Sequence, residues 1–245
     1  MPAGITALKG LRVLLTRPVE QSGSMQAALV AAGAIPLLYP TITTGPPPSW
    51  NELDRAMAEL EHYDWVLFSS ASAVRHTLSR LAAPPLLAQH GRMIGAVGEA
   101  TARVLSDAGV RVDLVPQESN GAGLAAALSN LKPGTRVLFP QTIGGRPEVE
   151  QALRSQGCLV DVVPASRTQP VVPLPALPAF DVATFASPSA LRAFLAQHPA
   201  VVLHSRPLIV IGPSTAAEAY RAGLEPRVAR TPTPEGFMTA IIESL

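Results

Sequence analysis

Residues 64–75 read Asp-Trp-Val-Leu-Phe-Ser-Ser-Ala-Ser-Ala-Val-Arg, and residues 181–192 read Asp-Val-Ala-Thr-Phe-Ala-Ser-Pro-Ser-Ala-Leu-Arg. Each copy is an apolar run of strand length, closed by hydroxyls that open a helical pattern. A strand that ends in Ser and passes directly into a helix is the grammar of a βα unit. The same unit occurring twice, far apart in one chain, points to internal duplication.

Two further blocks repeat in the same way. Gly10, Leu11, Arg12, Val13, Leu14 and Leu15 return as Gly134, Thr135, Arg136, Val137, Leu138 and Phe139. At the same spacing Ala28, Leu29 and Gly33 return as Ala152, Leu153 and Gly157. Ala96, Val97, Gly98, Glu99, Ala100, Thr101 and Ala102 correspond to Val210, Ile211, Gly212, Pro213, Ser214, Thr215 and Ala216. Each copy of that block then runs helically to a glycine, Gly109 or Gly223, as helix C-termini favour. The fold class is therefore α/β, with two flavodoxin-like (Rossmann-like) parallel-sheet domains, internally duplicated. A length of 245 residues with 47% hydrophobic side chains supplies two modest cores. The Pro-rich stretches Pro40 to Pro48 and Pro164 to Pro178 follow the two copies of the first block and lack helical periodicity, which marks them as interdomain connectors. The repeat is compatible with consecutive halves, and equally with halves that exchange their first βα units across these connectors.

Composition narrows the function. Net charge is +1, cations are scattered and aromatics make up 4%, so neither an electrostatic stripe nor a base-stacking platform for nucleic acid is present. The single cysteine, Cys158, permits no intramolecular disulfide, and the five His form no metal-spaced cluster. A reducing, cytoplasmic setting without a metal is expected. Met1 to Gly10 lacks the basic and apolar regions of a leader, and no apolar run approaches the roughly 18 residues that cross a bilayer. Neither export nor a membrane span is expected. Gly98 and Gly212 belong to no complete Gly-x-Gly-x-x-Gly or Walker loop, which leaves nucleotide binding unsupported.

Candidate ligand residues gather where strands should end. Thr16, Ser69, Ser70, Ser72, Thr101, Ser187, Ser189, Ser214 and Thr215 all lie at or just after a predicted strand, with Arg17, Arg75, Arg146 and Arg192 nearby. Open parallel sheets bind ligands beyond their carboxyl ends, where hydroxyls and helix N-termini receive carboxylates. Taken singly, each hydroxyl is accounted for as an ordinary N-cap. Their occurrence in both halves is what points to a large anionic ligand gripped from two sides in an interdomain cleft. No nucleophile and base stand together, so positioning and electrostatics are expected to outweigh covalent chemistry.

These blocks resemble the uroporphyrinogen-III synthase family across nearly the whole chain. Leu14, Leu15, Thr16, Arg17 and Pro18 look like its opening strand and turn. Tyr63, Asp64 and Trp65 through Ser69, Ser70 and Val74 look like its "yDwviftSanaV" segment, and Ile211 to Ala216 like its closing "IGpsTa" signature. The resemblance implies that a two-stranded connector joins the domains, with residues 1–38 and 169–245 forming one and 39–168 the other. It implies a cofactor-free lyase that cyclises hydroxymethylbilane, a linear tetrapyrrole with eight carboxylates, while inverting ring D. Thr16, Arg17, Ser69, Ser70, Ser72, Thr101, Arg146, Ser187, Ser189, Ser214 and Thr215 would hold its acetates and propionates. Many members carry a Tyr in a Pro, Val, Tyr, Arg, Thr pattern, a candidate for assisting loss of the hydroxyl. Here the run is Pro164, Ala165, Ser166, Arg167, Thr168, which places Ser166 at that position. A monomer is expected, with transient contact to hydroxymethylbilane synthase. Two other readings stay open: a non-catalytic tetrapyrrole-binding or regulatory homologue, which the missing Tyr permits, and a two-domain solute-binding protein, which would normally be exported. With Leu245 directly after the final helix, no appended DNA-binding module is expected.

Overall fold

The computed structural model describes residues 8–245; residues 1–7, part of the stretch read above for a leader, lie outside them. β1 (Arg12–Leu15), α1 (Gly23–Ala31) and β2 (Ile35–Leu38) come first, followed by β3 (Ile42–Gly45) and α2 (Asn51–Ala58). Next come β4 (Trp65–Phe68), α3 (Ala71–Leu78), β5 (Met93–Ala96), α4 (Glu99–Asp107) and α5 (Gly121–Ala127). The second copy of the opening unit is β6 (Arg136–Thr142), α6 (Glu148–Ser155) and β7 (Leu159–Pro170). The chain closes with β8 (Val182–Phe185), α7 (Pro188–Leu195), α8 (Val201–His204), β9 (Leu208–Val210), α9 (Pro213–Arg221), β10 (Arg227–Val228) and α10 (Pro234–Ile242).

Two five-stranded sheets result, ordered β10-β9-β8-β1-β2 and β3-β7-β6-β4-β5. β1 pairs in parallel with β2 and β8, and its repeat β6 pairs in parallel with β7 and β4. The Pro-rich stretches contribute β3 and the end of β7, which are neighbours in the second sheet. By contacts the chain divides into a first unit, Met1–Thr43 with Gln169–Leu245, and a second, Thr44–Thr168. The first crossing thus follows Thr43, later than the 38/39 boundary that the resemblance implied.

The opening unit β1-α1-β2 lies in one sheet with β8 to β10, and a pair of matched acids shows what holds it there. Asp181, just before β8, accepts the Arg12 backbone N–H at 2.8 Å on Oδ2, and the Arg12 guanidinium at 3.1 Å on Oδ2 and 2.7 Å on Oδ1. In the second unit Asp64, the equivalent residue before β4, accepts the Arg136 N–H at 2.8 Å. The Arg12 hydrogen bonds hold the Asp181 carboxyl down to about 2, against 3.8 ordinarily. A lowered carboxyl pKa contributes stability above its unfolded value that is lost as pH falls through the folded one. Arg12→Ala is therefore expected to move the acid limb of unfolding, which lies between about pH 4 and 2 for this group, to higher pH. Circular dichroism against pH checks it, and an unmoved limb would remove the pair from the stabilising contacts.

Side chains alternate across each strand, so both faces of each sheet are covered. In the second unit Val66, Phe68 and Leu138 meet Leu53, Val74 and Leu105 of α2, α3 and α4. Leu67, Val137 and Phe139 point the other way, onto Leu124, Val149 and Leu153 of α5 and α6. In the first unit Leu14 and Phe185 pack on Leu191 and Phe194 of α7, while Val13 and Leu15 pack on Leu29 of α1 and Ile241 of α10. With both faces buried, the strand ends are where a ligand can reach the backbone of each sheet. Among the described residues no helix is long and apolar enough to cross a membrane.

Candidate functional site

Each sheet has one place where neighbouring strands lead into helices on opposite faces. In the first unit it lies between β1, followed by α1, and β8, followed by α7; in the second it lies between β6, followed by α6, and β4, followed by α3. Loops diverging from such a switch point leave a crevice beyond the carboxyl ends of the strands, where open α/β sheets bind ligands.

Arg17 leaves β1 at the first of these crevices. Its side chain is half-buried, and burial alone lowers the guanidinium pKa, with no hydrogen bond or carboxylate acting against it. A guanidinium stays charged at neutral pH regardless, so this is a partly desolvated cation with no ion-pair partner among the described residues. Arg92, a cation that sequence reasoning did not single out, makes the contrast: it is buried but donates to the carbonyls of Leu60, Leu86 and Leu87 at 2.5, 3.2 and 2.7 Å, a structural use. Arg192 pairs with Glu218 at 2.7 Å, which Arg221 shares, so it belongs to a surface ion pair. Arg75 and Arg146 are exposed.

The hydroxyls divide into three groups. Ser70 and Ser187 cap α3 and α7, each accepting an N–H at 3.1 Å, from Ala73 and Ala190 respectively. Ser187 also shares a 3.0 Å hydrogen bond with Ser189. Ser69 and Ser214 are exposed and Ser72 is half-buried, all open to solvent at the strand ends. Thr16, Thr101 and Thr215 are buried instead. Thr16 donates to the Thr184 carbonyl at 2.7 Å across β1 and β8, so its hydroxyl tightens the sheet rather than facing a ligand. The Thr215 hydroxyl is buried without a hydrogen-bond partner among the described residues.

α4 and α9, the helices after β5 and β9, begin differently. Their N-caps are Gly98 and Gly212, and neither helix has a side chain capping its first turn. Thr101, Ala102, Thr215 and Ala216 give their N–H groups back to the Gly98 and Gly212 carbonyls and Pro213 has none, which leaves the N–H groups of Glu99, Ala100 and Ser214 for a ligand or solvent. Gly98 has a packing reason as well: a Cβ there would stand 2.7 Å from the Ser119 side chain.

Ser166 departs from its expected role. It is completely buried, and its hydroxyl shares a 2.7 Å hydrogen bond with Thr142. The register between β6 and β7 slips here, Gln141 facing Pro164 and Thr142 facing Ser166, and this bulge turns the serine into the sheet. A short hydroxyl held there does not reach outward as a tyrosine would. Cys158 is likewise buried, and burial pushes its thiol pKa up, away from a nucleophilic thiolate.

A family model described as uroporphyrinogen-III synthase HemD matches residues 23–239. The chain belongs to the uroporphyrinogen-III synthase family. It is 40% identical over 160 residues to the uroporphyrinogen-III synthase of Synechococcus elongatus, a match covering 64% of this chain and 61% of that protein. It is 28% identical over 246 residues to the porphyrin biosynthesis protein HemD of Ruminiclostridium josui, covering 96% of this chain and 49% of that one. The chain thus spans less than two thirds of the length of these curated relatives. In fold it is similar to the uroporphyrinogen-III synthetase of Helicobacter pylori, at 17% identity and a TM-score of 0.58 over 96% of this chain and 99% of that one. The family is the one that the three repeated blocks resemble.

Proposed function

We propose that this chain is a uroporphyrinogen-III synthase, a lyase that cyclises hydroxymethylbilane to uroporphyrinogen III and water without metal or organic cofactor. The observation that carries the reading is Arg17, a half-buried cation at the β1/β8 switch point with no ion-pair partner among the described residues. Membership of the family supports it. The uncapped starts of α4 and α9 add carboxylate-receiving N–H groups in both units, as a ligand with eight carboxylates requires.

In the proposed reaction the terminal C–OH bond breaks as the adjoining pyrrole gives up its N–H proton, so that hydroxide and proton leave together as water and an azafulvene remains. The substituted carbon of ring D attacks that carbon to give a spiro intermediate, which fragments and recloses with ring D inverted. With Ser166 buried, the electrons of the substrate's own pyrrole expel the hydroxyl. The protein's part is to hold the carboxylates so that the chain ends meet in this register, a gain in effective concentration and orientation. Ser69, Ser70, Ser72, Ser187, Ser189, Ser214, Thr215 and Arg146 are the further groups we assign to carboxylate binding. We place the reaction in the cytoplasm, on a monomer.

The test supplies hydroxymethylbilane in situ from its synthase, adds the protein, oxidises the products and separates the isomers. A dominant type III product is expected. Type I alone, from demonstrably folded protein, would overturn the reading in favour of a non-catalytic tetrapyrrole-binding homologue.

A further inference from the structure

The spacing that carries Arg12 onto Arg136 and Leu15 onto Phe139 carries Arg17 onto Gln141. Gln141 therefore stands at the second unit's switch point, near the end of β6 and beside β4, as Arg17 does at the first. It escaped the sequence reading because a single amide at a strand end carries no charge signal.

Three observations bear on its role. Gln141 is 6% exposed, and its Nε2 is buried with no hydrogen-bond partner among the described residues. Buried side-chain donors are nearly always paired, so this amide lacks a partner that the fold supplies elsewhere. The amide lies against the Gly144–Gly145 turn that leads into α6: a Cβ at Gly145 would collide with Gln141 Oε1 and stand 3.0 Å from the Thr142 carbonyl. A larger residue at 145 would push the Gln141 amide out of its present place. Arg146, the next residue, is exposed and has no ion-pair partner among the described residues. The two orientations of the amide fill the same volume, so the atom beside the turn can be the donor, and the atom left beneath it has no partner in either orientation.

We propose that Gln141 is a specificity-determining donor in the second unit, giving its amide N–H to a carboxylate of the ligand, with Arg146 supplying the charge. The inference rests on the carboxylate-binding reading of Arg17 and extends it to the duplicated position. A neutral donor below a glycine turn makes a short, directional site, suited to an acetate-length arm close to the sheet.

The test compares wild type with Gln141→Leu and Gln141→Glu. Three quantities are measured: the melting temperature without ligand, the Kd for uroporphyrin by quenching of Trp50 and Trp65, and kcat and KM for type III formation. For Gln141→Leu the expected result is a melting temperature equal to or above wild type, with Kd and KM raised about tenfold and kcat within about twofold. Gln141→Glu, which keeps the shape but replaces the donor with a second negative charge, is expected to weaken binding further. A Gln141→Leu protein that melts several degrees lower and binds uroporphyrin as wild type does would overturn the proposal, because the amide would then serve the fold. Should wild type make no type III isomer while Gln141→Leu still weakens uroporphyrin binding, the subsite stands and the synthase reading fails.

Discussion

An Arg17→Leu variant is expected to lose roughly 10- to 100-fold in kcat/KM for hydroxymethylbilane, mostly through KM, while melting no lower than wild type. The two halves of that result have one cause. A charge-assisted hydrogen bond to a carboxylate contributes about 1.5–3 kcal/mol, which sets the loss in binding. In the free protein the same guanidinium is partly desolvated, with no compensating anion among the described residues, so an apolar side chain of similar bulk removes a cost rather than a contact. Arg17→Lys should recover part of the activity, since it restores the charge but not the planar fork that meets a carboxylate in two places. Steady-state kinetics with enzymically supplied substrate, paired with thermal melts, checks both halves. Wild-type KM in Arg17→Leu, or a melting temperature several degrees down, would show that the guanidinium is held by the fold and not by a ligand.

The second large effect is on stability. Phe185→Ala is expected to destabilise the first unit by about 3–5 kcal/mol, a substantial share of the roughly 5–15 kcal/mol that holds a domain folded. Phe185 is 0% exposed at the end of β8 and meets Phe194 of α7 edge-on at 5.5 Å, and Phe194 in turn contacts Tyr39 and His198. Removing the ring leaves a cavity among aromatic neighbours that are themselves fixed, including Tyr39, whose hydroxyl donates to the Pro175 carbonyl at 2.7 Å. The site should loosen too, because Phe185 immediately precedes the turn that carries Ser187 and Ser189. Urea denaturation followed by circular dichroism measures the change. A loss below about 1 kcal/mol would mean that the pocket collapses around the missing ring.

Much of the candidate site was legible before any coordinates, because helix starts obey local rules. Ser70 and Ser187 cap the helices they were read to open, since a hydroxyl between an apolar run and a helical pattern has an N–H within its own turn to accept. Arg17 was placed at a strand end by the same reasoning. Less legible was the fate of residues one step further on. Thr16 turns inward to Thr184 and Ser166 inward to Thr142, while Ser214 stays outside. Near a bulge or a strand end the alternation of faces breaks, and which way a short side chain points is set by the neighbouring strand. Gln141 is not legible in the sequence although the repeat aligns it with Arg17, because a neutral amide carries no charge signal and only burial without a partner among the described residues marks it out.

By itself, then, the sequence determined the α/β class, the duplication, the apolar alternation of each strand, the helix starts and the family that these resemble. All of these are properties of neighbours along the chain, where period and capping chemistry act within a few residues. The repeat left open which sheet each opening unit joins, and the exchange was implied only by the family resemblance; the tertiary structure shows the pairing itself, β1-α1-β2 with β8 to β10 and β6-α6-β7 with β4 and β5. Asp181 meets Arg12, and Asp64 meets Arg136, across long loops whose closure no local pattern records. The physical reason is that either βα unit offers much the same apolar strand to either sheet. The choice between them rests on contacts between residues far apart in sequence, which exist only once the chain has folded.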